Sequence, residues 1–169
     1  PMRGLIQFSV PLLIGNLAQQ LYNTVDSIVV GKYVSDNALA AVGASGPVLN
    51  LLLVLFMGIA TGATIMVSQY FGARQHQLLS ITVGNTITLT VLSSIFIMVV
   101  GPLVTHPLMT MLNTPKEIYD DSCSYLIIIF LGIIGIAGYN ILAGVLRGLG
   151  DSFMPLVYLI IACLLNIVL

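Results

Sequence analysis

Charges, prolines and short polar clusters divide the chain into five apolar runs, and the lengths of those runs set the architecture. The runs cover residues 5–31, 47–71, 78–104, 122–146 and 153–169. Each complete run is about 25 residues, or ~37 Å as an α-helix, enough to cross a ~30 Å hydrocarbon core with some tilt. Lys32-Tyr-Val-Ser-Asp36-Asn37 is a short polar link that forces the first two helices to be antiparallel neighbours. Pro47 suits a helix start, where its missing N–H is not needed. Gly72-Ala-Arg74-Gln-His76-Gln77 closes the second run, and Gly101-Pro102 with His106-Pro107 breaks the pattern after the third, leaving a short interfacial helix at 108–112. Thr114-Pro115-Lys116-Glu117 reads as a cap followed by proline at the first helical position of the fourth helix, which Arg147-Gly-Leu-Gly-Asp151 ends. Strict alternation in ~10-residue segments, the mark of a transmembrane β-barrel, is absent. The predicted fold is all-α, a polytopic transmembrane helical bundle.

Composition agrees with that reading and removes several function classes. Hydrophobic residues make up 58% and charged residues 7%, against about 25% charged in soluble domains. A net charge of −1 without a basic patch excludes a nucleic-acid partner. Cys123 and Cys163 show no metal-ligand spacing and are expected as free thiols. No Ser-His-Asp, Cys-His, paired-carboxylate, zinc-protease or phosphate-loop arrangement occurs, so the chain is expected to be neither an enzyme nor a holder of an organic cofactor. His76 and His106 are placed in loops without partners. With the N-terminus in the cytoplasm, Arg3, Arg74 and Arg147 fall inside and Lys32 and Lys116 outside, a slight positive-inside bias. The chain opens on Pro1 and stops within its fifth apolar run, and is expected to be a piece of a longer polypeptide, a single incomplete domain over 1–169.

The chemistry sits in the first run. Asn16, Gln19, Gln20, Asn23, Asp26 and Ser27 share one side of a helix within an arc of roughly 120°, opposite Leu17, Leu21, Val25 and Ile28. An ionised carboxylate in hydrocarbon costs at least ~2.5 kcal/mol, so Asp26 needs a partner, a proton or a water-filled cavity. A stripe that only glues helices together is the competing reading. Counted at 1.5 Å per residue, Asp26 lies ~9 Å from the outer end of the first helix and Asn166 ~10 Å from the outer surface. Tyr125 enters the fourth helix from the same side, and Tyr22 lies one turn deeper than Asp26. Asp26, Asn166, Tyr22 and Tyr125 are therefore a candidate site for a proton or a small hard cation such as sodium at Asp26 and Asn166, and coincidence of depth is the alternative. Gly58-x-x-x-Gly62 and Gly144-x-x-x-Gly148 match the close-approach helix motif, although 16 glycines generate such pairs easily. Gly132, Gly135 and Gly138 are read as packing positions, Thr61, Thr64 and Ser68 as hydroxyls bonded back to their own helix, and Asn50, Asn85 and Asn140 as interhelical bonds or cavity walls.

Asp26-Ser-Ile-Val-Val-Gly31, Asn37-Ala-Leu-Ala-Ala-Val-Gly43, Gly58 to Gly62 running into Val67-Ser-Gln-Tyr-Phe-Gly-Ala73, and Leu146-Arg-Gly-Leu-Gly-Asp-Ser152 with Pro155 resemble the multidrug and toxic compound extrusion (MATE) transporters in order and spacing. The resemblance implies five helices of a six-helix N-terminal lobe, with the sixth helix and a C-terminal lobe of the same chain as partners. It further implies a cytoplasmic N-terminus in the plasma (inner) membrane and export of drug-like organic cations in exchange for protons or sodium ions. Residue by residue it matches Asp26 and Asn166 to the family's cation site, with Tyr22 and Tyr125 as its nearby tyrosines. Two other readings are a lipid-linked oligosaccharide flippase of the same broad superfamily, expected to carry more cationic residues in its cavity, and a non-transporting membrane subunit.

Overall fold

The computed structural model describes the backbone of residues 2–168 and the side chains of residues 9–165 other than residue 26. Five helices follow one another: α1 (Met2–Val29), α2 (Asp36–Gly72), α3 (His76–Met111), α4 (Lys116–Gly148) and α5 (Phe153–Val168). A π-helical turn, Val30–Val34, extends α1 before the chain reverses at Ser35. Among the described residues α2, α3 and α4 are long and apolar enough to cross a membrane.

Several helices run past the boundaries that prolines and charges suggest. Helix α2 starts at Asp36, where the Ser35 hydroxyl accepts from the Ala38 N–H at 3.0 Å, and Pro47 lies inside it. The proline ring abuts the carbonyl four residues earlier, and that residue is Gly43 within the small-residue run Gly43-Ala-Ser-Gly46. Helix α3 likewise continues through Pro102 and Pro107 to Met111, so 108–112 is no separate interfacial helix. Pro115 is the residue before α4 and not its first turn, and the Thr114 hydroxyl, expected as a cap, contacts the Met109 sulfur at 3.5 Å.

The helix ends follow one rule. Helices α2, α3 and α4 each stop in a left-handed residue, Arg74 (φ 57), Asn113 (φ 52) and Gly150 (φ 92). The next N–H then reaches back five residues: Gln75 to Tyr70 O (2.9 Å), Thr114 to Met109 O (3.2 Å) and Asp151 to Leu146 O (2.9 Å). These are Schellman terminations, which satisfy the last carbonyls while turning the chain sharply. Short connections result, and successive helices run antiparallel.

Packing joins α2, α3 and α4 into a trio and pairs α1 with α5. Phe56 of α2, Met109 of α3, and Leu126, Phe130 and Ile133 of α4 fill the centre of the trio. Burial of apolar area contributes little between helices in lipid, so close backbone approach and dispersion must hold them. Gly144 and Gly148 supply that approach: a Cβ on Gly144 would lie 2.9 Å from Ala60 O, and one on Gly148 2.8 Å from Thr64 O. At Gly101 a Cβ would run into the Phe130 ring. Gly58, Gly62, Gly132, Gly135 and Gly138 face open space, so the packing expected of the last three is not found among the described residues. The buried face of α3 carries Thr82, Thr86, Thr90 and Ser94, a hydroxyl stripe that the apolar pattern hides. Thr86 and Thr90 donate to the carbonyls four residues back, both at 2.8 Å.

His106 lies within α3 and not in a loop. Its Nδ1 is 3.6 Å from Cys123 Sγ, and its carbonyl accepts from the Tyr119 hydroxyl at 3.0 Å, tying α3 to the start of α4. Both cysteines are free thiols.

Identical substitutions at the two glycine pairs should separate motif from contact. Gly148→Ala is expected to lower stability by ~1–3 kcal/mol, because backbone atoms of α2 must move. Gly62→Ala should leave it unchanged or raise it by up to ~1 kcal/mol through helix propensity. Thermal unfolding in one detergent, followed by loss of helical circular dichroism, measures both.

Candidate functional site

A cavity of about 320 Å³ lies where the α1–α5 pair stands off from α2 and α4. Helix α1 contributes Asn16 and Gln19 from its polar face, with Pro11, Leu12 and Gly15 below them. Helix α2 contributes Met57, Thr61 and Thr64, and α4 contributes Tyr139, Asn140, Gly144 and Arg147. Ser152, Pro155, Leu156 and Leu159 close it from the side of α5. The wall alternates hydrocarbon with uncharged hydrogen-bonding groups, and Arg147 is its one ionised side chain among the described lining residues.

Most of the wall's hydroxyls are already committed. Thr64 Oγ1 lies 2.8 Å from both Ala60 O and Gly144 O, a donation shared between its own helix and α4. Thr61 donates to Met57 O at 2.7 Å and Ser68 to Ile65 O at 2.8 Å, both within α2. The Tyr139 hydroxyl donates to Pro155 O at 3.3 Å, fastening α4 to α5. Asn140 Nδ2 donates to Ile136 O at 2.8 Å, which leaves its amide oxygen without a role in its own helix. Arg147 Nε is buried and has no hydrogen-bond partner among the described residues.

The segment 146–152 builds one end of this cavity residue by residue. Arg147 faces it, Gly148 lets α4 touch α2, and Gly150 adopts the left-handed turn. Asp151 Oδ1 then accepts from the Phe153 and Met154 N–H groups, both at 3.0 Å, capping α5. The nearest acid in sequence is thus engaged by backbone donors, and Ser152 is left buried in the cavity wall.

Helix α5 meets α1 where Leu156 and Leu159 approach Gly15, at 3.7 and 3.8 Å from the position of a Cβ. From that crossing, residue 26 is ~16 Å further along α1, and residue 166 is ~10–15 Å further along α5 in the same direction. The two backbone positions therefore fall near one level, beyond Gln19 and above the cavity. The side chains of Asp26 and Asn166 lie outside the described residues. Tyr22 on α1 and Tyr125 on α4 are both half-buried, and neither is without a partner. Residue 125 is ~35 Å along α4 from the α4–α5 turn, against ~20 Å for residue 166 along α5.

Arg147, Tyr139, Ser152 and the interhelical role of Thr64 are absent from the sequence-based site. One signal was available: Asn140, Gly144 and Arg147 stand at i, i+4 and i+7, on a single stripe of α4.

Sequence comparison then settles the family. The profile described as MatE matches residues 11–169. The chain belongs to the MatE family. It is 32% identical over 167 residues to the probable multidrug resistance protein YoeA of Bacillus subtilis (strain 168), covering 99% of this chain and 36% of that protein. Two solved structures, MATE in the bent conformation and MATE in the straight conformation, each match with a TM-score of 0.90 at 26% identity. They cover 100% and 98% of this chain, and 38% and 37% of theirs. This MatE chain, an integral membrane helical bundle, thus spans just over a third of the length of the relatives it matches.

Thr64 is the wall residue whose contribution is easiest to isolate. Thr64→Val keeps its shape and removes the bond to α4, and should cost the MatE chain ~0.5–1.5 kcal/mol. Thr61→Val, bonded only within α2, should cost about 0.5 kcal/mol or less. Denaturant-dependent unfolding of both variants in one detergent compares them directly.

Proposed function

We propose that this chain is part of the N-terminal lobe of a secondary antiporter that exports drug-like organic cations in exchange for protons or sodium ions. The observation that carries the proposal is the 320 Å³ cavity, which the polar face of α1 enters with Asn16 and Gln19 and which α2, α4 and α5 enclose. Cavities of roughly 300 Å³ and above, apolar with a few placed polar groups, suit small organic molecules. The name of the Bacillus relative, a probable multidrug resistance protein, supports the substrate class. The N-terminus is taken to be cytoplasmic in the plasma (inner) membrane, and the rest of the path to be formed by a sixth helix and a C-terminal lobe.

Asp26 is the proposed switch, with Asn166 and Tyr22 as its neighbours in the ion site; Tyr125, ~15 Å further along by helix rise, is left outside it. Ionised, Asp26 requires water or a cation; protonated or ion-bound, it no longer does, and α1 is free to repack. Pro11 sits inside α1 and deletes one backbone bond there, giving the helix a place to bend. The bent and straight conformations of the two matching MATE structures fit a helix lobe with two packings. Coupling requires the ion to bind those packings with different affinity.

Arg147 is the feature a flippase of lipid-linked oligosaccharides would need, but one cation in the wall is few for a pyrophosphate. The antiporter reading therefore stands first.

The experiment uses the full-length transporter in proteoliposomes with an imposed proton or sodium gradient. Asp26→Asn should abolish gradient-driven exchange while expression and monodispersity persist. Transport at the parental rate would remove Asp26 from the mechanism.

A further inference from the structure

We propose that the Arg147 end of the cavity is a binding site for a monoanionic oxyanion head, a carboxylate or a phosphodiester, carried on an apolar body. The inference goes beyond the antiporter reading, because it concerns an anionic ligand at the Arg147 end of the cavity, which that reading does not assign.

Three observations carry it. First, Arg147 lines the cavity with its Nε buried, and the described residues provide neither a partner for it nor a carboxylate in the lining. Asp151, the acid closest in sequence, accepts two α5 N–H bonds and serves as a cap. A guanidinium that is partly desolvated with an open N–H seeks an acceptor, and its planar fork fits two oxygens of one carboxylate or phosphate. Second, a neutral hydrogen-bonding group shares the lining: Ser152 is buried in the same wall, with only 8% of its surface exposed. Third, the lining interleaves hydrocarbon from Leu12, Met57, Leu156 and Leu159 with uncharged amides and hydroxyls, surroundings that receive an apolar chain or ring. One positive charge balances one negative charge, so phosphodiesters and carboxylates fit better than doubly charged monoesters.

That head could arrive on a lipid from the adjoining leaflet or on an amphiphile from water, and the test distinguishes the two. The full-length transporter in a neutral detergent is exposed to phenylglyoxal, and modification of Arg147 is followed by peptide mass spectrometry. The probes are dihexanoyl phosphatidylglycerol, octanoate and, as the uncharged control with the same tails and no phosphate, dihexanoylglycerol. Saturable protection of Arg147 by phosphatidylglycerol alone supports the site with a lipid occupant. Protection by octanoate alone supports it with a solute occupant, and protection by both supports the shared chemistry. Protection by neither, or equally by dihexanoylglycerol, overturns the proposal. Thermal-shift titration of Arg147→Gln with the protecting probe should show affinity reduced about ten-fold or more, with Arg147→Lys between it and the parent. Affinity within about two-fold of the parent in a folded Arg147→Gln also overturns it. Because the wild-type protection measurement needs no variant, a misfolded Arg147→Gln leaves the proposal open to refutation. Loss of this binding would leave the Asp26 experiment untouched, and the converse also holds.

Discussion

The contact on which the bundle depends is the backbone approach of α4 to α2 at Gly144 and Gly148. Two glycines one turn apart remove the side chains that would hold the helices at ordinary separation, and Thr64 bridges the gap they leave. The same two helices touch again at their other ends, where Ser122 Oγ lies 3.4 Å from Ala41 O. Pinned at both ends, α2 and α4 run parallel and form a single wall. Helix α3 fits against that wall through its hydroxyl stripe and the Phe130 ring seated on Gly101. Helix α1 makes its main contacts with α5 and with the π-helical turn, and not with the trio. The space between trio and pair is the cavity, so its existence follows from how tightly α2 and α4 meet.

Much of this was legible from the chain and some was not, for identifiable reasons. Apolar run length gave the helix count and order, because a bilayer tolerates little else. Helix ends were misplaced wherever proline was taken as a boundary. Pro47, Pro102 and Pro107 sit inside helices, which membrane bundles tolerate because neighbouring helices and hydroxyl side chains re-satisfy freed backbone groups, an effect that depends on neighbours. Two copies of one glycine spacing had opposite fates: Gly144 and Gly148 are clamped, while Gly58 and Gly62 are open. Spacing specifies a smooth face and is silent on what approaches it. His106 looked like a loop residue for the same reason that Pro107 looked like a stop.

At the site, the polar face of α1 was readable because six polar residues in an arc cannot face lipid at no cost. Its level relative to α5 follows from helix rise alone. Arg147 was read only as the cytoplasmic end of the fourth helix, outside the candidate site. What places it differently is the tight termination of α4, which turns α5 back across it within a few residues. Burial by a later segment leaves no trace in local pattern. The motif Arg147-Gly-Leu-Gly-Asp151 is better understood as a corner joint in which each residue has a separate mechanical task.

The lengths of α2, α3 and α4 have a consequence for how the molecule meets its surroundings. Thirty-seven residues in α2 make a rod of ~55 Å, nearly twice the ~30 Å hydrocarbon thickness. Tilts of transmembrane helices reach ~40°, which still leaves the rod several ångströms too long at each end. The corners at residues 73–75, 112–115 and 149–152 therefore stand clear of the acyl region, in headgroups or water. Charges there are cheap. Those corners are also the parts of the protein that a water-soluble protease, antibody or partner can reach without entering the bilayer.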